Sequence, residues 1–445
     1  MRAAAGDADG KVRQQTVNRG GATTGCEGRA LCEDRGSLMR LGIGSWSRTV
    51  VAGAVIAGCA VTGVLANTGG SGDTESFDRF VAGFWSQARK AGISRETYRA
   101  AFRGVRPDPD ILERNANQAE FKTPVWTYLD RRVTEERIAA GRAAGREVGD
   151  RIAAIEARYG VDRNILLAIW GMESNYGSHK GDKYVIRSLA TLAYTGRRQK
   201  FGRQQLLAAL KILQNGDIPV EYMTGSWAGA MGHTQFIPTT YEAYAVDWTG
   251  DGTRDIWRST SDALASTANY LKRSGWQEGV PWGWEVKLPR GFDYSLVGTG
   301  TEKIVADWAR LGVKPVRGGN FGAWAPESSI ILPAGARGPA FLVTKNFRAI
   351  LRYNNATAYA LAVGHLADRI AGAPQIAARW PRGERPLSHS ETQELQRLLN
   401  RRGYDTGGID GRLGPRTLSA VRHVQGRLGL APDGYPTTAL LERLR

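Results

Sequence analysis

The stretch Ile165-Leu-Leu-Ala-Ile-Trp-Gly-Met-Glu173-Ser-Asn-Tyr-Gly177 decides how the rest of the chain is read. It reads as a helix with one carboxylate set into its apolar side. Leu166, Ile169 and Trp170 precede Glu173 by seven, four and three positions, so all four share one face. Asp162 stands where an N-cap belongs, and Gly177 stands where the helix can stop. A glutamate among apolar neighbours is costly to ionise, so its pKa should rise. That environment suits a general acid working near neutral pH. It equally suits a Glu at the edge of the stripe, paired with an Arg or a helix end.

Outward from this helix the chain is largely helical. Aromatic and aliphatic residues recur at helical spacing from Ser76, in Phe77, Phe80, Val81, Phe84 and Trp85. Ser94 reads as the cap of a second helix, and Thr123-Pro124 as the opening of another. Residues 135–159 form a long Ala- and Arg-rich amphipathic segment. Two helices are expected near 188–194 and 201–213, with the basic pair Arg197 and Arg198 between them. Gly225-Ser-Trp-Ala-Gly-Ala-Met-Gly-His-Thr-Gln-Phe-Ile-Pro-Thr-Thr-Tyr241 then reads as a loop. Its small residues suggest backbone packed close to a ligand. Ser226, His233 and Gln235 are its polar candidates, although His233 alone fits a structural role better.

Asp247, Thr249, Asp251 and Asp255 occupy positions 1, 3, 5 and 9 of an acidic loop with Gly252 at position 6, the pattern of a calcium loop. Position 12 is Arg258, not the usual Glu, so Asp262 is the candidate for that role in a longer loop. The competing reading is an Asp/Gly turn held by its own hydrogen bonds. Residues 263–271 are expected to be helical and carry Tyr270; 277–339 should hold loops and a few strands; 356–371 should be a helix.

The ends are organised differently. Residues 1–38 lack apolar periodicity and read as a disordered extension upstream of a better start at Met39. Residues 39–66 combine a basic beginning with a short apolar run, the pattern of a signal sequence. Two processing readings stay open: cleavage after Ala66, or lipidation of Cys59 in Val55-Ile-Ala-Gly-Cys59, which resembles a lipobox. Residues 373–387 read as a linker. Residues 388–445 read as a separate three-helix unit with a weak repeat, Asp410-Gly leading to Thr417 and Asp433-Gly leading to Thr437.

Composition excludes several classes. The 445 residues suggest more than one domain, and 42% hydrophobic content is enough for packed cores. The 60 Lys and Arg against 43 Asp and Glu suit an acidic polymer or a membrane surface, but no nucleic-acid module accompanies them. All three cysteines fall at or before Cys59, so the folded part has neither a disulfide framework nor a thiolate site. The five His residues show no H-E-x-x-H, and no G-x-S-x-G elbow surrounds Ser226.

Glu173-Ser-Asn-Tyr-Gly177, the Gly225–Gly232 run with Gln235-Phe, and Arg352-Tyr-Asn354 together resemble bacterial lytic murein transglycosylases of the membrane-bound B type. Order and spacing agree over roughly residues 76–371, and the terminal unit resembles an attached peptidoglycan-binding domain. The resemblance implies a mainly α fold: a lysozyme-like helical core with a small strand-containing lobe over 76–372, plus the three-helix C-terminal domain. It implies periplasmic cleavage of the MurNAc–GlcNAc bond of peptidoglycan with closure of a 1,6-anhydro ring and no water added. No cofactor is required for that chemistry, and a structural Ca²⁺ is an addition. Position by position, Glu173 matches the acid/base and Ser226 and Gln235 match substrate contacts. Tyr128, Tyr270, Tyr353 and Asn354 match groove residues, and Arg197 and Arg198 match a pair meeting stem-peptide carboxylates. Asp247, Thr249, Asp251 and Thr253 match a calcium loop. His233-Thr234 departs from the usual aromatic and Gly, and Val424-Gln425 replaces Phe-Gln. The expected partners are glycan strands and a lipid anchor, without nucleic acid, for a monomeric enzyme. A water-adding, lysozyme-like hydrolase and a non-catalytic wall-binding protein are the rival readings.

Overall fold

The computed structural model describes residues 72–116, 123–322 and 326–445. The upstream extension, the signal sequence and Cys59 lie outside the described residues. Sixteen helices and two small sheets are present among those described, so the fold is mainly α as expected.

The helix Arg163–Ser174 sits at the centre. Asp162 caps it, its Oδ1 accepting from the amides of Asn164 (2.7 Å) and Ile165 (3.3 Å). The apolar stripe is wider than the spacing suggests: Ile165 through Met172 are all buried, so the helix is enclosed rather than amphipathic. Three helices enclose it. Glu135–Tyr159 runs along one side, capped by Thr134 and kinked at Gly149. Thr357–Ile370, apolar nearly all round, packs along another. Thr260–Arg273 closes a third. Their shared core holds Ile152, Ile155, Leu166, Leu264, Leu361 and Leu366.

A second core lies on the N-terminal side. Gly72–Lys90 and Arg95–Ala101 pack on the antiparallel pair Val185–Tyr194 and Gln199–Gln214. Ser94 caps as the sequence suggests, accepting from the amide of Thr97 at 3.0 Å. Strands β1 (Lys183–Tyr184) and β2 (Thr224–Gly225) pair antiparallel and fix where the 225–241 loop leaves the body.

The small lobe is one antiparallel sheet built from β3 (Gly283–Lys287), β4 (Lys303–Ile304), β5 (Lys314–Pro315), β6 (Glu327–Ile331) and β7 (Ala340–Thr344). Its order is β4-β6-β7-β3-β5, and Trp308 fills its own core. From β7 the chain enters the helix Lys345–Tyr353, which carries Tyr353 back to the helical body.

Residues 373–387 run across the helical body and the small lobe. The Glu285 carboxylate accepts from the amides of Ala377 and Ala378, Trp380 lies against Trp126 and Phe341, and Arg382 pairs with Asp130 at 2.6 Å. Beyond them stand His389–Arg401, Pro415–Arg427 and Thr438–Leu444 around Leu395, Leu399, Val421 and Leu441. The repeat in this unit has a mechanical basis. Gln396 donates to Asp410 Oδ1 and accepts from Gly411 N; Gln425 does the same with Asp433 Oδ1 and Gly434 N. Each Asp-Gly turn is thus clamped by a glutamine from the preceding helix. The other oxygen of Asp433 accepts from Ala336 N at 2.7 Å, tying this unit to the small lobe.

Candidate active site

The central helix does not run on to Gly177. It ends at Ser174, and Asn175 (φ 49°), Tyr176 (φ 58°) and Gly177 (φ 88°) follow in the left-handed region. Two consecutive non-glycine residues there cost on the order of 1–3 kcal/mol each. The surroundings hold them in place. Tyr176 lays its ring across Gly171, where a Cβ would come within 2.5 Å of it, and donates to Arg137 O at 3.0 Å. Ser174 Oγ donates to His233 O at 2.6 Å and accepts from Gly177 N. This tight reversal leaves Glu173, on the last turn, at the edge of the core.

Glu173 is half-buried and crowded by phenols. Tyr359, itself 4% exposed, donates to Glu173 Oε1 at 2.6 Å. Oε2 has no hydrogen-bond partner among the described residues and is not completely sealed. Burial pushes the Glu173 carboxyl up to about 7, against the Tyr359 hydrogen bond and the Arg132 charge, which both favour ionisation. Tyr128, Tyr353 and Tyr359 all lie close enough for its charge to oppose their own ionisation.

The expected groove residues fall in two places. Tyr353 and Tyr270 meet edge to face at 5.1 Å beside Phe236. Both phenols are spent on backbone carbonyls, Tyr353 on Thr234 O (2.5 Å) and Tyr270 on Arg352 O (2.6 Å), so what they offer outward is ring surface. Asn354 follows at the helix end, half-exposed, its side chain making no hydrogen bond among the described residues. Gln235 is also left-handed (φ 52°); its amide nitrogen donates to Lys180 O and Gly232 O, which leaves the amide oxygen uncommitted. Ser226 stands at the far end of the same loop, its Oγ accepting from Ala230 N at 3.0 Å. There Arg198 covers the Trp227 ring at 5.5 Å, with Arg197 exposed beside it.

The small residues of this loop have a different purpose from the one the sequence suggested. A Cβ on Gly225 would come within 2.3 Å of Ala230 O, and one on Gly232 within 2.4 Å of Ile256 O. The close approach at Gly225 and Gly232 is to the protein's own backbone. His233 is structural as expected: it accepts from Trp170 Nε1 at 3.1 Å, and burial pushes its pKa down to about 4.

The acidic loop closes on its own amides. Asp247 accepts from Gly250, Asp251 and Gly252, and Asp251 accepts from the amide and hydroxyl of Thr253. Asp262 does not take the twelfth position. It is fully buried, and its two oxygens accept the amides of Trp248 (3.0 Å), Thr249 (3.2 Å) and Asp255 (3.0 Å). It anchors the loop from beneath. No three His, Cys, Asp or Glu side chains converge on a metal position among the described residues. The exposed oxygens of Asp247, Thr249, Asp251 and Thr253 remain a donor set suited to a hard cation.

Two participants were missed from sequence, Tyr359 and Arg132, and so was a second perturbed acid, the half-buried Asp368. Asp368 accepts from Trp282 Nε1 at 3.0 Å, and burial pushes it to about 7 as well. It lies nine residues beyond Tyr359 on the same helix, about 13 Å along the axis. Paired glycosidase carboxylates stand roughly 5–10 Å apart, so Asp368 is not placed as a partner to Glu173.

This arrangement can be compared with known proteins. Residues 76–368 match the family described as Transglycosylase SLT domain, and residues 388–444 match Putative peptidoglycan binding domain. Membrane-bound lytic murein transglycosylase B of Escherichia coli (strain K12) is 31% identical over 274 residues, 59% of this chain and 73% of that protein. The crystal structure of SltB3 from Pseudomonas aeruginosa in complex with NAG-anhNAM-pentapeptide is 54% identical with a TM-score of 0.81, over 83% of this chain and 100% of that one. The Escherichia coli lytic transglycosylase Slt35 in complex with calcium is 26% identical with a TM-score of 0.57, over 68% of this chain and 95% of that one. A perturbed carboxyl at the end of an enclosed helix, in a lysozyme-like helical body, fits a glycan-cleaving enzyme of this class. The chain belongs to the SLT transglycosylase family: it is a peptidoglycan lytic transglycosylase.

Proposed function

We propose that the enzyme cleaves the MurNAc–GlcNAc β-1,4 bond of peptidoglycan without water, leaving 1,6-anhydroMurNAc, with Glu173 as acid and then base. The observation that carries this reading is the state of Glu173: one oxygen held by Tyr359, the other without a hydrogen-bond partner among the described residues, and a carboxyl pushed to about 7. Near neutrality such a group is poised to give a proton and take one back. Protonated, Glu173 donates to the leaving glycosidic oxygen. The MurNAc acetamido group stabilises C1, as in substrate-assisted glycosidases. Ionised, Glu173 then removes the C6 hydroxyl proton as that oxygen attacks C1. One carboxyl suffices because the sugar supplies its own nucleophile.

Tyr128, Tyr270 and Tyr353 present ring surface on which sugars stack, and Asn354, Gln235 and Ser226 supply polar contacts along the strand. Arg197 and Arg198 meet stem-peptide carboxylates beside Trp227. Residues 388–445 hold the wall while 76–372 cut it, with 373–387 between them. The enzyme works as a monomer in the periplasm, reached through the 39–66 leader, with Cys59 as the candidate lipid anchor. Asp247, Thr249, Asp251 and Thr253 would hold a structural calcium ion that takes no part in the chemistry.

Mass spectrometry of muropeptides released from purified sacculi tests the central step. The expected product carries 1,6-anhydroMurNAc, one water lighter than the hydrolytic product. Reducing-end MurNAc as the main product would make the enzyme a lysozyme-like hydrolase, and no release at all would leave only a wall-binding protein.

A further inference from the structure

Behind the groove lies a cavity of about 410 Å³ that the proposed chemistry does not use. Its walls come from two helices that also serve Glu173. Val125–Arg132 turns Tyr128 and Arg132 toward Glu173, and Leu129 and Asp130 toward the cavity. Thr357–Ile370 brings Tyr359 to Glu173 and, six and ten residues further on, lines the cavity with His365 and Arg369. Residues 375–382 roof it, with Ile376 and Trp380 as apolar wall.

His365 is 9% exposed, lines the cavity, and its ring makes no hydrogen bond among the described residues. One buried polar atom here has no partner among them: Arg369 Nε is buried without an acceptor, although its Nη2 reaches Glu135 at 2.7 Å. Unsatisfied buried donors are rare, because each costs roughly 1–3 kcal/mol. The surrounding charge is positive. Arg382 is neutralised by Asp130, but Arg379 at the rim has no acidic partner among the described residues. The nearby Arg317 donates to Gln375 O rather than to an acid. Burial and the charges of Arg369 and Arg317 hold His365 neutral, down to about 4, so near neutrality it still offers one N–H.

We infer that this cavity binds a small carboxylate, its oxygens meeting the His365 N–H and the positive charge of the Arg369 and Arg379 guanidinium groups, and its apolar body lying against Trp380 and Ile376. The volume is that of a ligand site of amino-acid or dipeptide size. The carboxylate has two sources: the end of a wall peptide, or a free organic acid. The first rests on the peptidoglycan reading; the shared chemistry does not. The site is separate from the Arg197 and Arg198 pair and from the Glu173 groove.

Calorimetric titration of the full chain with N-acetyl-D-alanyl-D-alanine, with its C-terminal amide and with benzoate tests this. Carboxylate binding to one site is expected, with the amide silent. His365→Phe keeps the ring shape and removes the N–H, and should weaken binding by about tenfold or more. Arg379→Ala, at an exposed position where folding is not at risk, should weaken it by a smaller factor. Both variants should still release muropeptides from sacculi at the wild-type rate, and that readout is independent of which sugar product forms. Binding of the peptide but not benzoate assigns the wall source; equal binding assigns small acids in general. No binding of any carboxylate, equal binding of acid and amide, or unchanged binding in both variants would overturn the inference.

Discussion

Glu173 and Asp368 are a matched pair with opposite settings. Burial pushes both to about 7, and each accepts one short side-chain hydrogen bond, from a phenol in one case and an indole in the other. Glu173 keeps an oxygen without a hydrogen-bond partner among the described residues, at a tight reversal lined with aromatic rings. Asp368 lies near the far end of its helix, where Trp282 holds it and no cluster of groove residues surrounds it. The contrast teaches that a shifted pKa does not make a catalytic acid. Access to the reacting bond does, and access is set by where the helix stops.

The largest effect should come from substituting the two acids in turn. Glu173→Gln preserves the shape and can donate hydrogen bonds, but it cannot deliver or accept the catalytic proton. General acid/base catalysis contributes a factor of about 10² to 10⁴, and in the proposed mechanism one residue serves both half-steps, so the loss should reach the upper end. Asp368→Asn keeps an oxygen for Trp282 and should leave muropeptide release near wild type. The comparison breaks if Glu173→Gln stays active or if Asp368→Asn is the inactive variant.

A smaller effect should follow from Tyr359→Phe. The Tyr359 hydrogen bond favours the ionised form of Glu173, so its removal should raise that pKa further. Glu173 must begin protonated, so kcat/KM should fall as pH rises through about 7 in the wild type, and this limb should move to higher pH in the variant. Turnover itself should drop by roughly tenfold, the worth of a charge-assisted hydrogen bond. An unmoved limb would mean that another group sets it.

Stability should reveal what the two acids share. The Glu173 carboxyl is raised from 4.5 to about 7 on folding, so its contribution is fully present below 4.5 and lost as pH climbs through 7. Above that, ionisation costs the wild type about 3 kcal/mol. Glu173→Gln should therefore melt with the wild type near pH 4 and above it at pH 8. Asp368→Asn should show the same divergence, because its carboxyl is raised from 3.8 to about 7. Parallel melting curves across pH for Glu173→Gln would show that the carboxyl is better solvated than its surroundings suggest.

Much of this contrast was legible in the chain and part of it was not. The caps at Asp162 and Ser94 and the spacing around Glu173 are local, and local chemistry fixes them. Tyr359 left no signal because its helix is buried nearly all round, so no face stood out for a phenol to break. The Gly225–Gly232 run has the composition of a ligand loop, and only the fold shows that Ala230 and Ile256 are what its glycines approach. The course of residues 373–387 depends on Glu285, Asp130 and Trp126, partners far away in sequence.

The smallest effect concerns a third buried carboxyl, and it sharpens the comparison from the other side. Asp262 is also raised by burial, yet it accepts three backbone amides, so it is a satisfied structural group with no oxygen to spare. If calcium binds the Asp247 loop, it stabilises only the folded chain, by about 1.4 kcal/mol at ten times its Kd. Calcium should then raise the melting temperature modestly, and Asp251→Ala should abolish that response while leaving the chelator-treated protein almost unchanged, because Asp251 is exposed. Asp262→Asn should do the opposite. Its amide nitrogen would face a backbone N–H, so the protein should melt lower with calcium and with chelator alike. An Asp262→Asn variant that loses only the calcium response would make Asp262 a ligand after all. Its three amide bonds would then have to open on binding, and the loop would be a switch rather than an anchor.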